Sequence, residues 1–379
     1  MMPAAVLREA ALHHNIREMQ AFADRQGARL CPHGKTTMSP EIFRLQLDAG
    51  AWGLTAATAH HVRVYRRLGV ARIFLANQLV APADIAFILG ELAADPGFDF
   101  FCLADSAEGI DLLAGAAAGL ERPLQLLVET GFPGGRSGAR SVDDALALAR
   151  RIAAAPGLAL RGFETFEGIR QTRSDARDEA GGMLDLAVAA AELAAREGLF
   201  GDGPVLLSAG GSAFLDLCAA RLPTMLAGRP VERVLRPGCY VTHDDGLYER
   251  VTKPDGAPYP GLPGLRSAIE VWATVQSRPE PGLAIVGAGK RDLSFDVEPP
   301  VPIWHFRPGT DDVPRRAEGL ATLGLWDQHA AIADADGALA IGDLIGFGIS
   351  HPCATFDRWT ALLTVDEQRN VNGCVTTLF

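Results

Sequence analysis

The feature that most limits the fold is a rhythm running from residue 11 to about 240. An amphipathic helical stretch is followed by a short apolar run that ends in polar or glycine residues, and the unit then repeats. Eight such runs read as strands: Arg29–Cys31, Gly53–Thr55, Ile73–Ala76, Phe98–Leu103, Gln125–Val128, Ala159–Phe163, Val205–Leu207 and Arg233–Leu235. Between them lie stretches rich in alanine, leucine and arginine, among them Asn15–Arg25, Ala145–Ala155 and Gly182–Arg196, which favour helix. Strand-then-helix units at this density fit an α/β fold of the (β/α)8 TIM-type barrel, typically about 250 residues long. A doubly wound sheet is the rival arrangement, but no glycine-rich dinucleotide fingerprint follows the first strand. The expected barrel spans residues 9–240.

After Tyr240 the texture changes. Proline and glycine crowd Lys253 to Gly264, and β-branched and aromatic runs follow, cut by turns. Ser267–Ser277, Leu283–Gly287, Gly324–Ile332, Leu344–Ile349, Trp359–Val365 and Val371–Phe379 are the candidate strands, with one helix expected around Arg315–Leu323. Residues 241–379 therefore read as a mainly antiparallel β domain. Residues 1–8 join it through a strand over Pro3–Leu7. An apolar content of 48% supports a full core, and a net charge of −11 opposes nucleic-acid or anionic-membrane surfaces. No apolar run approaches the roughly 20 residues that span a bilayer, and the start lacks a secretory pattern. Six scattered cysteines form no disulfide framework, so a reduced, cytoplasmic protein is expected.

In such a barrel the chemistry sits at the carboxyl ends of the strands. Those ends carry His33 and Lys35, Thr55, Asn77, Asp105, Glu129 with Arg136, Glu164, Ser208 to Ser212, and Gly238 to Tyr240 with His243 and Asp244. Lysine is scarce: of 35 cationic side chains only Lys35, Lys253 and Lys290 are lysines. A desolvated lysine amine can attack a carbonyl, whereas a guanidinium cannot. A lone lysine in an arginine-rich chain can also reflect nucleotide composition. The Ser208-Ala-Gly-Gly-Ser212 turn after the seventh strand changes the balance, because late barrel loops bind phosphate through backbone N–H groups. An amine and a phosphate cradle at one barrel mouth describe a pyridoxal-phosphate (PLP) site.

Pro32-His-Gly-Lys-Thr-Thr37 resembles the PLP-lysine motif of the D-serine dehydratase and D-threonine aldolase family, which has the alanine-racemase-type barrel of fold type III. Val128 to Gly138 resembles the segment whose arginine, here Arg136, reaches the cofactor ring hydroxyl. Ser208, Gly210, Gly211 and Ser212 resemble the phosphate loop, and Gly238, Cys239 and Tyr240 the strand end that borders it. Ser350-His-Pro-Cys353 resembles the metal-binding strand. The chain departs from the family pattern in having Cys31 before the lysine motif and Phe166-Glu167 near the ring. Glu167 is thus a candidate partner of the ring nitrogen or of substrate, or a solvated carboxylate. His33 lies beside Lys35 in the same motif.

His351 and Cys353 are two apart, so on a strand both side chains face one way. A thiolate and an imidazole suit zinc. Relatives that cleave threonine carry an aspartate where Cys353 stands, which tilts the reading from aldol cleavage toward dehydration. The resemblance thus implies a lyase that deaminates a D-β-hydroxy amino acid such as D-serine to a 2-oxo acid and ammonia. Lys35 is the catalytic amine, His351 and Cys353 hold the metal, and a homodimer is implied. A D-threonine-type aldolase, a non-catalytic PLP-binding protein and a racemase are the alternatives. His329, in Asp327-Gln-His329, is either near the site or structural.

Overall fold

A computed structural model describes residues 1–379 except 171, 254, 255 and 263, and the side chains at 169 and 170. Part of the Pro/Gly-rich stretch from Lys253 to Gly264 therefore lies outside the described residues. The chain opens with β1 (Ala4–Arg8) and α1 (Glu9–Arg25). There follow β2 (Arg29–Leu30), α2 (Pro40–Asp48), β3 (Leu54–Ala56), α3 (Ala59–Arg67), β4 (Arg72–Gln78), α4 (Pro82–Ala94) and β5 (Asp99–Ala104). Next come α5 (Ala107–Ala117), β6 (Leu124–Thr130), α6 (Val142–Ala154), β7 (Leu158–Thr165), α7 (Ala176–Arg196), β8 (Val205–Ala209) and α8 (Leu215–Arg221). A short β9 (Met225–Leu226) pairs with β10 (Arg229–Leu235), the last strand of this half.

The parallel strands run in the order β2-β10-β8-β7-β6-β5-β4-β3. The parallel bridge His33–Thr55 and the Thr55 N–H to Pro32 carbonyl bond of 2.7 Å join the two ends. The ring closes where the lysine motif leaves its strand. All eight expected strands are present. Inside, Cys31, Phe74, Phe101, Leu103, Leu127, Leu206 and Val234 form one buried cluster, each from a barrel strand or its end. Outside, the helices bury apolar stripes; in α1 these are Leu12, Ile16, Met19, Phe22 and Ala23, at helical spacing. A Cβ on Gly162 would lie 1.7 Å from the Leu206 carbonyl oxygen, so only glycine lets β7 approach β8.

After α9 (Leu247–Thr252), the second sheet is built from β11 (Ile269–Glu280), β12 (Leu283–Val286), β13 (Val301–Phe306), β14 (Arg315–Arg316), β15 (Leu320–Leu325) and β16 (Ala330–Asp334). The chain then adds β17 (Leu344–Gly348), a one-turn helix α10 (Cys353–Phe356), β18 (Ala361–Val365) and β19 (Val371–Thr376). β1 lies between β11 and β18 in this sheet, so the first strand of the chain belongs to its last layer. Asn15 ties the layers together, bonding Val241 O at 3.2 Å and Arg266 O at 2.7 Å.

Two expectations are corrected, and one further strand is found. The helix around Arg315–Leu323 is instead β14 and the start of β15, because Gly319 at φ 73° breaks the run and both pieces find strand partners. Gly324–Ile332 is a hairpin rather than one strand, turning at polar residues where the Trp326 N–H donates to His329 O at 2.9 Å. β13 was hidden by Pro302, which a register shift between Pro302 and Trp304 accommodates.

Candidate active site

A cavity of about 600 Å³ opens at the barrel mouth, within the range of small-molecule sites. Lys35 lines it from a 3-10 turn, Gly34–Thr36, directly after β2. Lys35 is exposed to the cavity and makes no hydrogen bond or ion pair among the described residues. Gly238 lets the end of β10 pass over this turn, since a Cβ there would sit 2.3 Å from Thr36 Oγ1. His33 lines the same wall with Nδ1 buried and unpartnered. Burial, reinforced by Lys35 and Arg236, lowers its pKa well below the usual histidine value, so the ring is neutral.

Opposite, the loop after β8 presents backbone donors. The Gly210 and Gly211 N–H groups donate to the Glu167 carboxylate at 3.1 and 2.7 Å, and Cys239 N–H donates to Ser212 Oγ at 3.1 Å. Glu167 therefore occupies the anion seat rather than standing free beside a ring. Gly210, Gly211, Ser212, Gly238 and Cys239 line the cavity as expected of a phosphate loop. Ser208 and Tyr240 do not: Ser208 Oγ bonds Val234 O and accepts from Arg236 Nε, and the Tyr240 hydroxyl accepts from Gln46 in the core. The alternation along β8 turns Ser208 away from the mouth, and Tyr240 lies in the 3-10 turn Cys239–Val241 with its ring in the core. Arg136 lies at the rim, 3.6 Å from Glu129 and over the Phe166 ring at 5.3 Å.

A buried charge group received no role from sequence. Arg236 pairs with Glu164, whose Oε2 is buried without a hydrogen-bond partner, and both line the cavity. Burial outweighs Arg236 and pushes the Glu164 carboxyl up to about 8. The position of Glu164 at the carboxyl end of β7 was the available signal. Of the other strand-end residues, Asn77 lines the cavity while Thr55, Asp105, His243 and Asp244 hold local structure. His329 is exposed in the β15–β16 turn and does not line the cavity.

The second layer contributes His351 and Cys353 to the same cavity. They are not on a strand, as the spacing argument assumed: β17 ends at Gly348 and Cys353 begins α10, with Pro352 as its cap. Proline as a helix start, not an edge-strand breaker, brings them together. His351 Nδ1 bonds Asp296 at 2.6 Å, and Cys353 Sγ lies 3.3 Å from Thr36 Oγ1 and 3.5 Å from Cys239 Sγ. Hydrogen bonding from Cys239 and the His351 ring draws the Cys353 thiol well below its usual pKa against burial. For His351, burial opposes the charge, but Cys353 and Asp296 outweigh it and hold the ring at about 9.

The donor set suits pyridoxal phosphate: the two glycine amides already seat an anion, the Lys35 amine is free, and Glu164 keeps an unpartnered buried oxygen. A barrel with this amine at its mouth, closed by a second sheet layer, defines the PLP-dependent enzymes of the alanine-racemase type. The chain belongs to the family "Alanine racemase, N-terminal domain", which matches residues 7–222. The family "Putative serine dehydratase domain" matches residues 268–365. The chain is 27% identical to a D-threonine aldolase of Arthrobacter sp. over 371 residues, 96% of this chain and 89% of that one. It is 28% identical to a D-threo-3-hydroxyaspartate dehydratase of Delftia sp. (strain HT23) over 375 residues, 95% and 92% of the two. The crystal structure of a D-threonine aldolase from Filomicrobium marinum superposes with a TM-score of 0.81 at 24% identity, covering 100% of this chain and 95% of that one. The resemblance read from the motifs holds, and the chain is an enzyme of the PLP-dependent lyase class.

Proposed function

We propose that the chain is a PLP- and zinc-dependent lyase that dehydrates a D-β-hydroxy amino acid of the D-serine kind to a 2-oxo acid and ammonia. The observation that carries this reading is the placing of His351 and Cys353 on the same cavity as the free Lys35 amine. The names of the relatives, which act on D-threonine or 3-hydroxyaspartate, support the D-β-hydroxy class.

When bound, the cofactor spreads negative charge from the substrate Cα into its pyridinium ring. Lys35 would hold it and then take the Cα proton. The amides of Gly210 and Gly211, with Ser212, Gly238 and Cys239, would receive the phosphate in place of the Glu167 carboxylate. Glu164, paired with Arg236 on the cavity wall, would meet the ring nitrogen, and Arg136 would guard the rim. His351 and Cys353 would hold a zinc ion, which would supply Lewis acidity to the β-hydroxyl, otherwise a poor leaving group. The neutral imidazole of His33 can accept a proton from the cavity. That favours one second reading, aldol cleavage, in which a base takes the hydroxyl proton.

D-serine and D-threonine separate the two readings. Ammonia with pyruvate or 2-oxobutanoate is expected, and removal of the metal by chelation is expected to abolish it with cofactor retained. Glycine with acetaldehyde from D-threonine would establish the aldolase instead. Full turnover after verified metal removal would refute the role given to His351 and Cys353. A homodimer in the cytoplasm completes the reading, and it would cover exposed apolar side chains of the second layer such as Val313, Leu323, Trp326 and Ile341.

A further inference from the structure

His351 and Cys353 have a third neighbour that the sequence reading assigned to the phosphate border. Ligand atoms of Cys239, His351 and Cys353 all lie within 4.8 Å of one another. Cys239 comes from the 3-10 turn after β10 in the barrel, whereas Cys353, 114 residues further on, begins α10 in the second layer with His351 just before it. All three line the cavity. The sulfur–sulfur separation is 3.5 Å. A tetrahedral zinc with bonds of about 2.3 Å to each sulfur sets that edge near 3.8 Å, so a few tenths of an ångström separate the observed pair from a ligating one.

We propose that Cys239 is a metal ligand, and that this chain holds its ion through two thiolates and one imidazole. The inference rests on the metal reading given above and deepens it. Three further observations favour it. The Cys239 side chain borders the cavity that Lys35 shares, whereas Cys31, Cys102 and Cys218 are buried in the protein core. Its backbone N–H donates to Ser212 Oγ at 3.1 Å, which ties the turn that carries the thiol to the loop after β8. His351 Nδ1 is held by Asp296 at 2.6 Å, which leaves Nε2 as the ligand nitrogen in the carboxylate–histidine–metal arrangement of many protein sites.

The donor set determines what the site takes. Two thiolates and an imidazole select a borderline-soft ion, zinc or cobalt, against magnesium and manganese. Three protein ligands leave one tetrahedral position open, which is enough for the substrate hydroxyl or a water and for nothing more. The ion would also pin the barrel to the second layer across the cavity, because its ligands come from both.

Cobalt(II) substitution reads the thiolate count directly through sulfur-to-metal charge-transfer absorption in the near ultraviolet. The PLP-loaded enzyme reconstituted with cobalt is expected to show the intensity of two thiolates. Cys239→Ser and Cys353→Ser should each lose about half, and Cys239→Ser should bind zinc at least about 10–100-fold more weakly, as loss of a site partner does. X-ray absorption on the unmodified zinc protein supplies the same count without a variant, with two sulfur neighbours expected at about 2.3 Å. One sulfur neighbour, or full charge-transfer intensity in Cys239→Ser, overturns the assignment of Cys239 while leaving His351 and Cys353 in place. Failure of the unmodified protein to bind cobalt or zinc at all overturns the metal reading itself.

Discussion

Lys35 owes its position to small residues around it rather than to any partner of its own. Gly34 and Gly238 have no room for a Cβ beside Tyr65 and Thr36 respectively, and this close packing holds the 3-10 turn that points the amine into the cavity. Glu164, the carboxylate on the same cavity, is paired with Arg236 rather than with Lys35. An amine in that setting has no ion pair to break before it reacts. Lys35→Ala is therefore expected to abolish visible cofactor absorption above that of free pyridoxal phosphate, and borohydride treatment should label no peptide. A label mapped to Lys253 or Lys290, or an unchanged spectrum in the variant, would remove the assignment.

At the scale of elements, the second layer depends on a buried carboxylate that links β13 to the turn before β17. Asp343 accepts from His305 Nε2 at 2.7 Å, from Arg307 Nε and Nη2 at 2.9 Å each, and from the Ala340 N–H at 2.9 Å. Burial opposes its charge, but Arg307, the Ala340 amide and His305 outweigh it and hold the carboxyl at about 2. A carboxyl held below its ordinary value stabilises the fold above about pH 4, and that stability is lost as pH falls toward 2. Asp343→Asn removes one side of the pair and is expected to cost about 3 kcal/mol at neutral pH. Urea unfolding at pH 7 and pH 3 checks this: the gap between variant and parent should narrow at the lower pH, and a gap that widened would contradict the sign.

The whole molecule is one barrel and one mainly antiparallel layer that share a cavity. β1 precedes the barrel in sequence yet sits between β11 and β18, so the second layer is not a single segment of chain. The exposed Val313, Leu323, Trp326 and Ile341, at 59–68% exposure, all lie on the second layer. A contiguous apolar surface is characteristically covered by a partner, and the homodimer proposed above would cover these side chains. Light scattering at micromolar concentration should give twice the 40.2 kDa chain mass, and Trp326→Glu with Leu323→Glu should return it to the monomer value. A monomer in the unmodified protein would leave those side chains without the explanation offered here.

Period and turn chemistry were enough to place all eight barrel strands, the lysine at the first strand end, the glycine loop at the seventh and the opening strand, expected at Pro3–Leu7 and found at Ala4–Arg8, because each is written in residues close together in sequence. Where intrinsic preference and pairing disagreed, sequence misled: the Ala- and Leu-rich run near Arg315 became strands once Gly319 broke it and partners were available. The occupation of the glycine amides by Glu167, the Arg236–Glu164 pair and the meeting of Cys239 with Cys353 were decided only by the folded chain. These contacts join residues 43, 72 and 114 positions apart, and side-chain direction at a strand end or helix start sets them, which no local pattern encodes.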